Sequence, residues 1–526
     1  MIDAKVEAIL KVFADLYDPD TNPNGIVNLG VADNSLCRPE MLRYFNHHRL
    51  HLAPAELTYA DRFTSSLRLV KALCNLWNEY TPDWPESDSS PLPLKKVEPE
   101  HIAIASGATG ILDQLFWSLC DKNDGVLLSA PYYNAFDHDL VARAETRICQ
   151  VDLPLPDPQN GGYKATFAKQ TIDAYELAYR RAKENGITPK VLLFCNPHNP
   201  TGVIYSRETT IELVKFAAKH KLHFVSDEIY ARSWFSTTDV PDPELFVSVL
   251  SIDVEKECGL DPSYLHLVTS ASKDFAVNGF RLGVLVSQSN KDLHRAMSAL
   301  GLLSQSSSPA GALLYTWLED TPFLSWYLKE NRRRMSLAYS YIIDWCRHHN
   351  IPYLPSNSGF FFMIDFRRLL GIKLDTRDEK DARQKEQDFV TALIKHRVFV
   401  APGAQYHHPI PGMFRFTFTQ SPRALRAGLD RLEHALGLKD GFAASRPLLD
   451  LETGGTAPPS LLPLPSSSTL TPTDTSKAIG NVSTQTPAHK SLASRIHSQF
   501  FFDAENSQTN KHRFQRFLPH CSPSPQ

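Results

Sequence analysis

Between residues 97 and 300, short apolar runs alternate with segments in which apolar residues recur at helical spacing. The clearest runs have the length of buried strands; they are His101–Ala105, Val191–Cys195, Leu222–Ser226 and Leu265–Thr269. Amphipathic segments such as Ile211–His220 lie between them. This alternation is typical of a mostly parallel sheet covered by helices. The pattern therefore predicts an α/β fold for this part of the chain.

The pattern changes on both sides of this region. A helix-like stretch, Val6–Leu16, lies near the N-terminus, and a long helical stretch runs from Pro309 through Arg347. Strand-like runs follow at Phe360–Asp365, Val398–Ala401 and Met413–Thr419. We predict four regions: an N-terminal arm with part of a smaller domain (1–55), a large domain (56–304), a small α+β domain (305–442) and a disordered tail rich in Ser, Thr and Pro (443–526).

Polar or turn-forming residues follow each of the four apolar runs. These segments are Ser106–Gly110, Asn196–Gly202, Asp227–Tyr230 and Ser270–Lys273. The carboxyl ends of parallel strands share one edge of an open α/β sheet, and ligands bind at that edge. We therefore expect the four segments to meet at a single site.

Lys273 gives this predicted site its chemistry. It follows Ser270 and Ser272 at a strand end, and Arg281 comes eight residues later. A lysine amine can form a Schiff base with an aldehyde cofactor, and hydroxyls and a guanidinium beside it can bind a phosphate. In an isolated Ser-x-Ser-Lys sequence the lysine is more often an ordinary solvated surface residue. Here three other polar strand ends accompany it.

Six motifs in a consistent order extend this interpretation: Ser106–Gly110, Pro131–Asp137, Asn196–Gly202, Ser226–Tyr230, Ser270–Gly283 and Phe414–Phe418. Together they resemble the class I pyridoxal-phosphate (PLP) aminotransferase family of fold type I. The nearest resemblance is to the 1-aminocyclopropane-1-carboxylate (ACC) synthase-like branch, on the strength of Leu29–Leu36, Gly279–Arg281 and Pro402-Gly403 before Arg415. The match extends from Ile26 to Leu436 and implies a PLP-binding large domain with a smaller second domain.

The resemblance implies a role for each polar strand end. Lys273 would carry PLP and move the substrate's Cα proton. Asp227 would face the pyridine nitrogen, and a carboxylate there favours the protonated ring. Tyr230 and Asn199 would hydrogen-bond the cofactor's 3′-oxygen, and Tyr133 would stack on its ring. Lys273, Asp227 and Tyr230 are thus the predicted catalytic residues.

The remaining predicted contacts concern the phosphate and the substrate. Ala108 and Thr109 lie at the start of a helix, where backbone N–H groups attract an anion, and Ser270, Ser272 and Arg281 complete the phosphate site. By resemblance, Tyr59 would reach the phosphate of a neighbouring subunit, which implies a homodimer with shared active sites. Tyr59 departs from the family pattern because Ala-Asp-Arg-Phe follows it rather than a nearby glycine. Arg415 would bind the α-carboxylate of an amino-acid substrate, and Asp33 would lie near that substrate.

Three functions remain open at this point. We expect transamination of an amino acid, in specialised metabolism. The alternative is ACC synthesis or C–S elimination on the same scaffold, although Asp33 replaces the glutamate of plant ACC synthases and Thr201-Gly202 follows the usual aminotransferase form. The third hypothesis is a PLP-binding protein without catalytic activity, and the presence of Lys273, Asp227 and Arg415 argues against it.

The composition limits the classes of partner and the cellular compartment that we expect. The 526 residues carry a net charge of −3, which gives no electrostatic reason to expect nucleic acid. No apolar stretch has the length of a membrane span, and the first residues do not resemble a secretory signal. The eight cysteines are scattered and predict a reducing, cytoplasmic setting. The neighbouring histidines His407 and His408 lack the spacing of metal ligands, so we expect no metal.

Overall fold

The computed structural model describes residues 10–48, 52–59, 61–62, 64–79, 93–153, 169–373 and 378–459. Its strands are β1 (Val27–Asn28), β2 (Ile102–Ser106), β3 (Gly125–Ala130), β4 (Arg147–Asp152), β5 (Pro189–Cys195), β6 (His223–Asp227), β7 (Leu265–Ser270), β8 (Leu282–Val286), β9 (Phe361–Asp365), β10 (Val398–Phe399), β11 (Ala401–Pro402) and β12 (Met413–Thr417). Its helices are α1 (Arg38–His47), α2 (Leu67–Asn78), α3 (Gly107–Leu119), α4 (Phe136–Asp139), α5 (Lys169–Glu184), α6 (Arg207–His220), α7 (Val254–Cys258), α8 (Lys291–Gly301), α9 (Ser308–Glu319), α10 (Thr321–His348), α11 (Glu379–Lys395), α12 (Pro422–Leu436) and α13 (Phe442–Ser445).

The centre of the large domain is a seven-stranded sheet in the order β2-β8-β7-β6-β5-β3-β4. Strand β8 runs antiparallel to both of its neighbours, and the other pairings are parallel. Consecutive residues of a strand point to opposite faces. In β5, Val191 and Leu193 pack into one buried cluster, while Leu192 and Phe194 pack into another. Both faces are therefore covered, which confirms the predicted α/β fold with a mostly parallel sheet.

The smaller domain contains an antiparallel sheet, β11-β12-β9, and a parallel pair formed by β1 and β10. Val27 of β1 pairs with Val398 of β10, so the N-terminal arm adds a strand to this domain. Helix α10 packs beside it through a buried face that includes Met335 and Tyr339. The helix begins after Asp320, whose carboxylate accepts a hydrogen bond from the backbone N–H of Phe323 and so caps the first turn.

The packed chain continues beyond the start of the tail that the composition predicts. Leu451 is buried, the Trp326 Nε1 donates to the Thr456 carbonyl over 2.8 Å, and the Arg333 Nη1 donates to the Thr453 carbonyl over 2.9 Å. Residues 443–459 therefore pack against α10 although their composition is polar. The buried side chain of Leu451 and the carbonyls of Thr453 and Thr456 make the contacts. Residues 460–526 lie outside the described residues, as do residues 1–9, which include the first part of the predicted helix Val6–Leu16; residues 10–14 are helical.

Candidate active site

A cavity of about 380 Å³ lies at the carboxyl ends of β5, β6 and β7. All the predicted site residues except Tyr59 and Asp33 line it: Ala108, Thr109, Tyr133, Asn199, Asp227, Tyr230, Ser270, Ser272, Lys273, Arg281 and Arg415. The N-terminal arm adds Gly30, Val31 and Ala32 to the lining. The structure thus brings the four polar strand ends together, because the parallel strands that precede them end at the same edge of the sheet.

Lys273 reaches into this cavity from the turn after β7. Its Nζ donates a hydrogen bond of 2.5 Å to the carbonyl of Ala32. Burial lowers the pKa of the Lys273 amine to about 8, and the positive charges of Arg415 and Arg281 act in the same direction, while Asp33 opposes them. About half of this amine is therefore neutral, and hence nucleophilic, near pH 8.

Asp227 is the last residue of β6 and is only 5% exposed. Burial raises the pKa of its carboxyl to about 7, and the nearby carboxyl of Asp139 contributes to the increase. The backbone N–H of Ile229 donates to Oδ1 over 3.2 Å. Within the described residues no salt bridge joins Asp227 to a cationic side chain. A buried carboxyl of this kind is stabilised by a positively charged ligand group.

The start of α3 and Arg281 also line the cavity. Gly107 has a φ of +73°, and a Cβ at this position would lie 2.3 Å from Nη2 of Arg281. Glycine is therefore required both for the backbone conformation and for the space that the guanidinium occupies. The next residues, Ala108 and Thr109, carry first-turn N–H groups, which have no acceptor within the helix. Helix and guanidinium together provide an anion site.

Asp139 is a residue of this site that the sequence reasoning missed. It lines the cavity and is 9% exposed, and the hydroxyl of Thr109 donates to its Oδ2 over 3.3 Å. Burial raises the pKa of its carboxyl to about 6. Its position two residues after the Pro131–Asp137 motif, in the short helix α4, could have indicated a site residue. An Asp in a polar helix is, however, normally a surface residue.

Arg415 lies in β12 and is 3% exposed. Its Nη1 donates to Oδ1 of Asn199 over 2.8 Å, and its Nη2 donates to the carbonyl of Gly30 over 2.6 Å. Its Nε has no hydrogen-bond partner in the part of the chain that the structure describes. The guanidinium also faces the rings of Phe361 and Tyr406, at 4.6 and 4.4 Å. A buried cation with an unused donor is suited to a carboxylate ligand.

Tyr133, Tyr230 and Asn199 also line the cavity. Burial raises the pKa of Tyr133 to about 12 and that of Tyr230 well above its usual range, so both phenols stay protonated. Because Arg415 occupies the amide oxygen of Asn199, the Asn199 side chain is fixed with its NH₂ group available as a donor. Two O–H groups and one amide N–H can therefore be offered to a ligand oxygen.

Tyr59 and Asp33 are the two predicted residues outside the lining. Tyr59 is 70% exposed in the single chain. Its contact with a second subunit stays a prediction. The carboxylate of Asp33 pairs with Arg38 at 2.6 Å and accepts a 3.4 Å hydrogen bond from Asn278. Asn278 itself lines the cavity, so Asp33 lies just behind the wall rather than in it. Its pairing with Arg38 could not be read from the sequence.

The donors of this cavity fit the groups of PLP. Lys273 offers an amine for the aldehyde, Asp227 a buried carboxyl for the ring nitrogen, and α3 with Arg281 an anion site for the phosphate. The space left by the missing Cβ of Gly107 allows the guanidinium to approach the helix N-terminus. In contrast, the described residues include no group of three His, Cys, Asp or Glu side chains that could hold a metal, and no helix there is long and apolar enough to cross a membrane.

Comparison with known sequences gives a consistent result. The family model described as Aminotransferase class I and II matches residues 66–432. A probable aminotransferase of Aspergillus oryzae, aclI, is 33% identical over 78% of this chain and 91% of its own length. The 1-aminocyclopropane-1-carboxylate synthase-like protein 1 of Homo sapiens is 28% identical over 84% of this chain and 82% of its own length.

Solved structures agree with the fold. Bna3p of Saccharomyces cerevisiae, described as a putative kynurenine aminotransferase, has a TM-score of 0.60 and 19% identity, covering 82% of this chain and 95% of its own. The aspartate aminotransferase of Thermus thermophilus with maleate has a TM-score of 0.57 and 19% identity, covering 83% of this chain and 97% of its own. At this identity they support the fold alone, and they confirm the predicted fold type I.

Proposed function

This chain belongs to the class I and II aminotransferase family, and we propose that it transfers the amino group of an amino acid to a 2-oxo acid with PLP bound in the cavity. Membership of the family confirms the predicted enzyme class, and similarity to ACC synthase-like proteins supports the predicted branch. The observation that carries the proposal is the convergence of Lys273, Asp227 and Arg415 on one cavity.

In this proposal each group of PLP has its own protein partner. Asp227 would hold a proton at the ring nitrogen, and Asn199 and Tyr230 would donate to the 3′-oxygen. Tyr133 would stack on the ring. The phosphate would be held by the first-turn N–H groups of Ala108 and Thr109 and by the side chains of Ser270, Ser272 and Arg281. When bound, PLP supplies an electron sink that stabilises negative charge at the substrate Cα.

The chain's own residues then bind the substrate and move its proton. Arg415, which lines the cavity and is held by Asn199 and Gly30, binds the α-carboxylate and so fixes the position of Cα. Lys273 removes the proton from Cα, because its lowered pKa makes the neutral amine available near pH 7–8. The carbonyl of Ala32 holds Nζ on the side of the cavity that faces the N-terminal arm.

The experiment supplies the protein with PLP, a panel of amino donors and a 2-oxo acid. Transamination predicts a new keto acid in equal amount to the new amino acid, without release of ammonia, and no product with Lys273→Ala. The Lys256→Ala variant is the control, because Lys256 is 85% exposed on the short helix α7. Absence of keto acid from every donor would reject the proposal.

The second candidate is elimination, either ACC synthesis or C–S cleavage, and similarity to the ACC synthase-like proteins favours ACC synthesis. Both reactions begin with the same removal of a Cα proton and differ in the leaving group. Incubation with S-adenosylmethionine would release methylthioadenosine in ACC synthesis. Incubation with a cysteine conjugate would release pyruvate and ammonia in C–S cleavage.

We further propose a homodimer, a cytoplasmic location and a role in specialised metabolism. Exposed apolar side chains support an interface with a second copy; they include Leu57, Leu302 and Leu303, with Leu57 and Leu303 more than 70% exposed. Seven free, buried cysteines in the described residues suit a reducing compartment. The role in specialised metabolism rests only on the similarity to fungal aminotransferases.

A further inference from the structure

An ion pair lies immediately behind the cavity wall on the side of the N-terminal arm. Nη2 of Arg38 is 2.6 Å from Oδ2 of Asp33, and Asn278 donates to the other carboxylate oxygen over 3.4 Å. The side chain of Asp33 is 27% exposed and that of Arg38 is 48% exposed. Neither charge is needed to hold the cofactor groups described above, so the pair needs another explanation.

The backbone joins this ion pair to the reacting groups. Arg415 donates to the carbonyl of Gly30, and Lys273 donates to the carbonyl of Ala32. Asp33 is the next residue, and its charge is close enough to Lys273 to raise the pKa of that amine. Once the substrate's carboxylate is on Arg415 and its amino group is near Lys273, the residues from Gly30 to Ala32 form one side of the remaining space, with Asp33 directly behind them.

We propose that Arg38 is a specificity-determining residue, which pairs with Asp33 so that the substrate side chain meets no net charge and uncharged amino acids are preferred. This inference rests on the proposed aminotransferase function. An unpaired Asp33 would attract a cationic side chain, such as a sulfonium, and an unpaired Arg38 would attract an acidic one. Because both side chains are partly exposed, water screens these charges, and the pair adjusts preference without being required for the reaction.

The test measures kcat/KM of the PLP-loaded enzyme for methionine, S-methylmethionine and glutamate. Methionine and S-methylmethionine differ by one methyl group and one positive charge. Arg38→Gln should raise the ratio of kcat/KM for S-methylmethionine to kcat/KM for methionine by about tenfold. It should lower the corresponding ratio of glutamate to methionine. Asp33→Asn should shift both ratios in the opposite direction, and the double variant should return them towards the wild-type values.

A matched control separates charge from folding. Arg207 and Glu257 form a 2.7 Å pair of similar exposure, 46% and 34%, away from the cavity, and Arg207→Gln should leave both ratios unchanged. The ratio of the dissociation constant of α-methylglutamate to that of α-methylmethionine, neither of which has a Cα proton to lose, should rise in Arg38→Gln and fall in Asp33→Asn.

Single variants that change all three substrates equally, or none of them, would overturn the role of Arg38. A wild-type enzyme that produces no keto acid from any substrate would instead reject the proposed function.

Discussion

Arg415 donates a hydrogen bond of 2.8 Å from Nη1 to Oδ1 of Asn199, so the residue predicted to bind the substrate holds a residue predicted to bind the cofactor. The bond also connects the two domains, because Arg415 belongs to β12 and Asn199 follows β5. Substrate carboxylate and cofactor are therefore expected to be positioned by one rigid contact rather than by two independent side chains.

Replacing Arg415 with lysine should lower kcat/KM by about a hundredfold, because a lysine keeps the charge but loses the planar set of donors that reaches Asn199, Gly30 and a carboxylate. Steady-state kinetics with a single amino donor measures the change, expressed per bound PLP because the variant also loses the contact that fixes Asn199.

Arg367→Lys is the matched control for that substitution. Arg367 makes a comparable two-point contact with Asp365 at the end of β9, outside the cavity lining. An equal loss of activity in both variants would show that the effect is structural and would contradict the role of Arg415.

Gly107→Ala should raise the dissociation constant of PLP by about tenfold or more, since the new Cβ would lie 2.3 Å from Arg281 and would displace the guanidinium that the phosphate needs. Equilibrium dialysis of PLP against the apoprotein gives the constant. Gly186→Ala is the control, because Gly186 has a similar φ of +72° but no atom within 4 Å of the added Cβ. The two variants should lose similar stability, and equal PLP affinity in both would argue against an anion site at α3.

Asp227→Asn should stabilise the apoprotein at pH 8 and have little effect at pH 4. The pKa of the folded carboxyl is about 7, whereas that of an unfolded aspartate is near 4. The folded state therefore binds more protons between these values, and stability falls as the pH rises through that interval. At pH 8 the asparagine should increase the free energy of unfolding by roughly 2–4 kcal/mol.

Urea unfolding at several pH values tests this difference, with Asp292→Asn as the control at a side chain that is 89% exposed. A stability gain that is the same at pH 4 and pH 8 would mean that the carboxyl of Asp227 is not the buried titrating group.

The sequence was sufficient to predict how the large domain and the cavity are built. Apolar runs of strand length revealed the parallel sheet, and their order required the polar ends at Asn196, Asp227 and Ser270 to meet at one edge. Arg415 could be identified because a charge within an apolar strand needs a partner. These features are local in sequence or follow from strand topology.

Other features depend on contacts between distant segments and were not predictable in this way. The hydroxyl of Thr109 in α3 donates to Asp139 in α4, and the carboxyl of Asp139, which looks like a surface group in sequence, is buried. Arg38 takes up the charge of Asp33 from the first turn of α1. The packing of residues 443–459 depends on α10, which supplies Arg333 and Trp326 as donors to a polar segment.

The central claim is that Lys273 is the lysine that carries PLP, and covalent labelling tests it most directly. Apoprotein is incubated with PLP between pH 6 and 9, reduced with borohydride and digested, and the modified peptide is identified by mass spectrometry. We predict one phosphopyridoxyl group, on Lys273, whose initial rate of incorporation rises with pH up to about 8 and then levels, since only the neutral amine reacts. Labelling spread over exposed lysines, or unchanged in Lys273→Ala, would contradict the account.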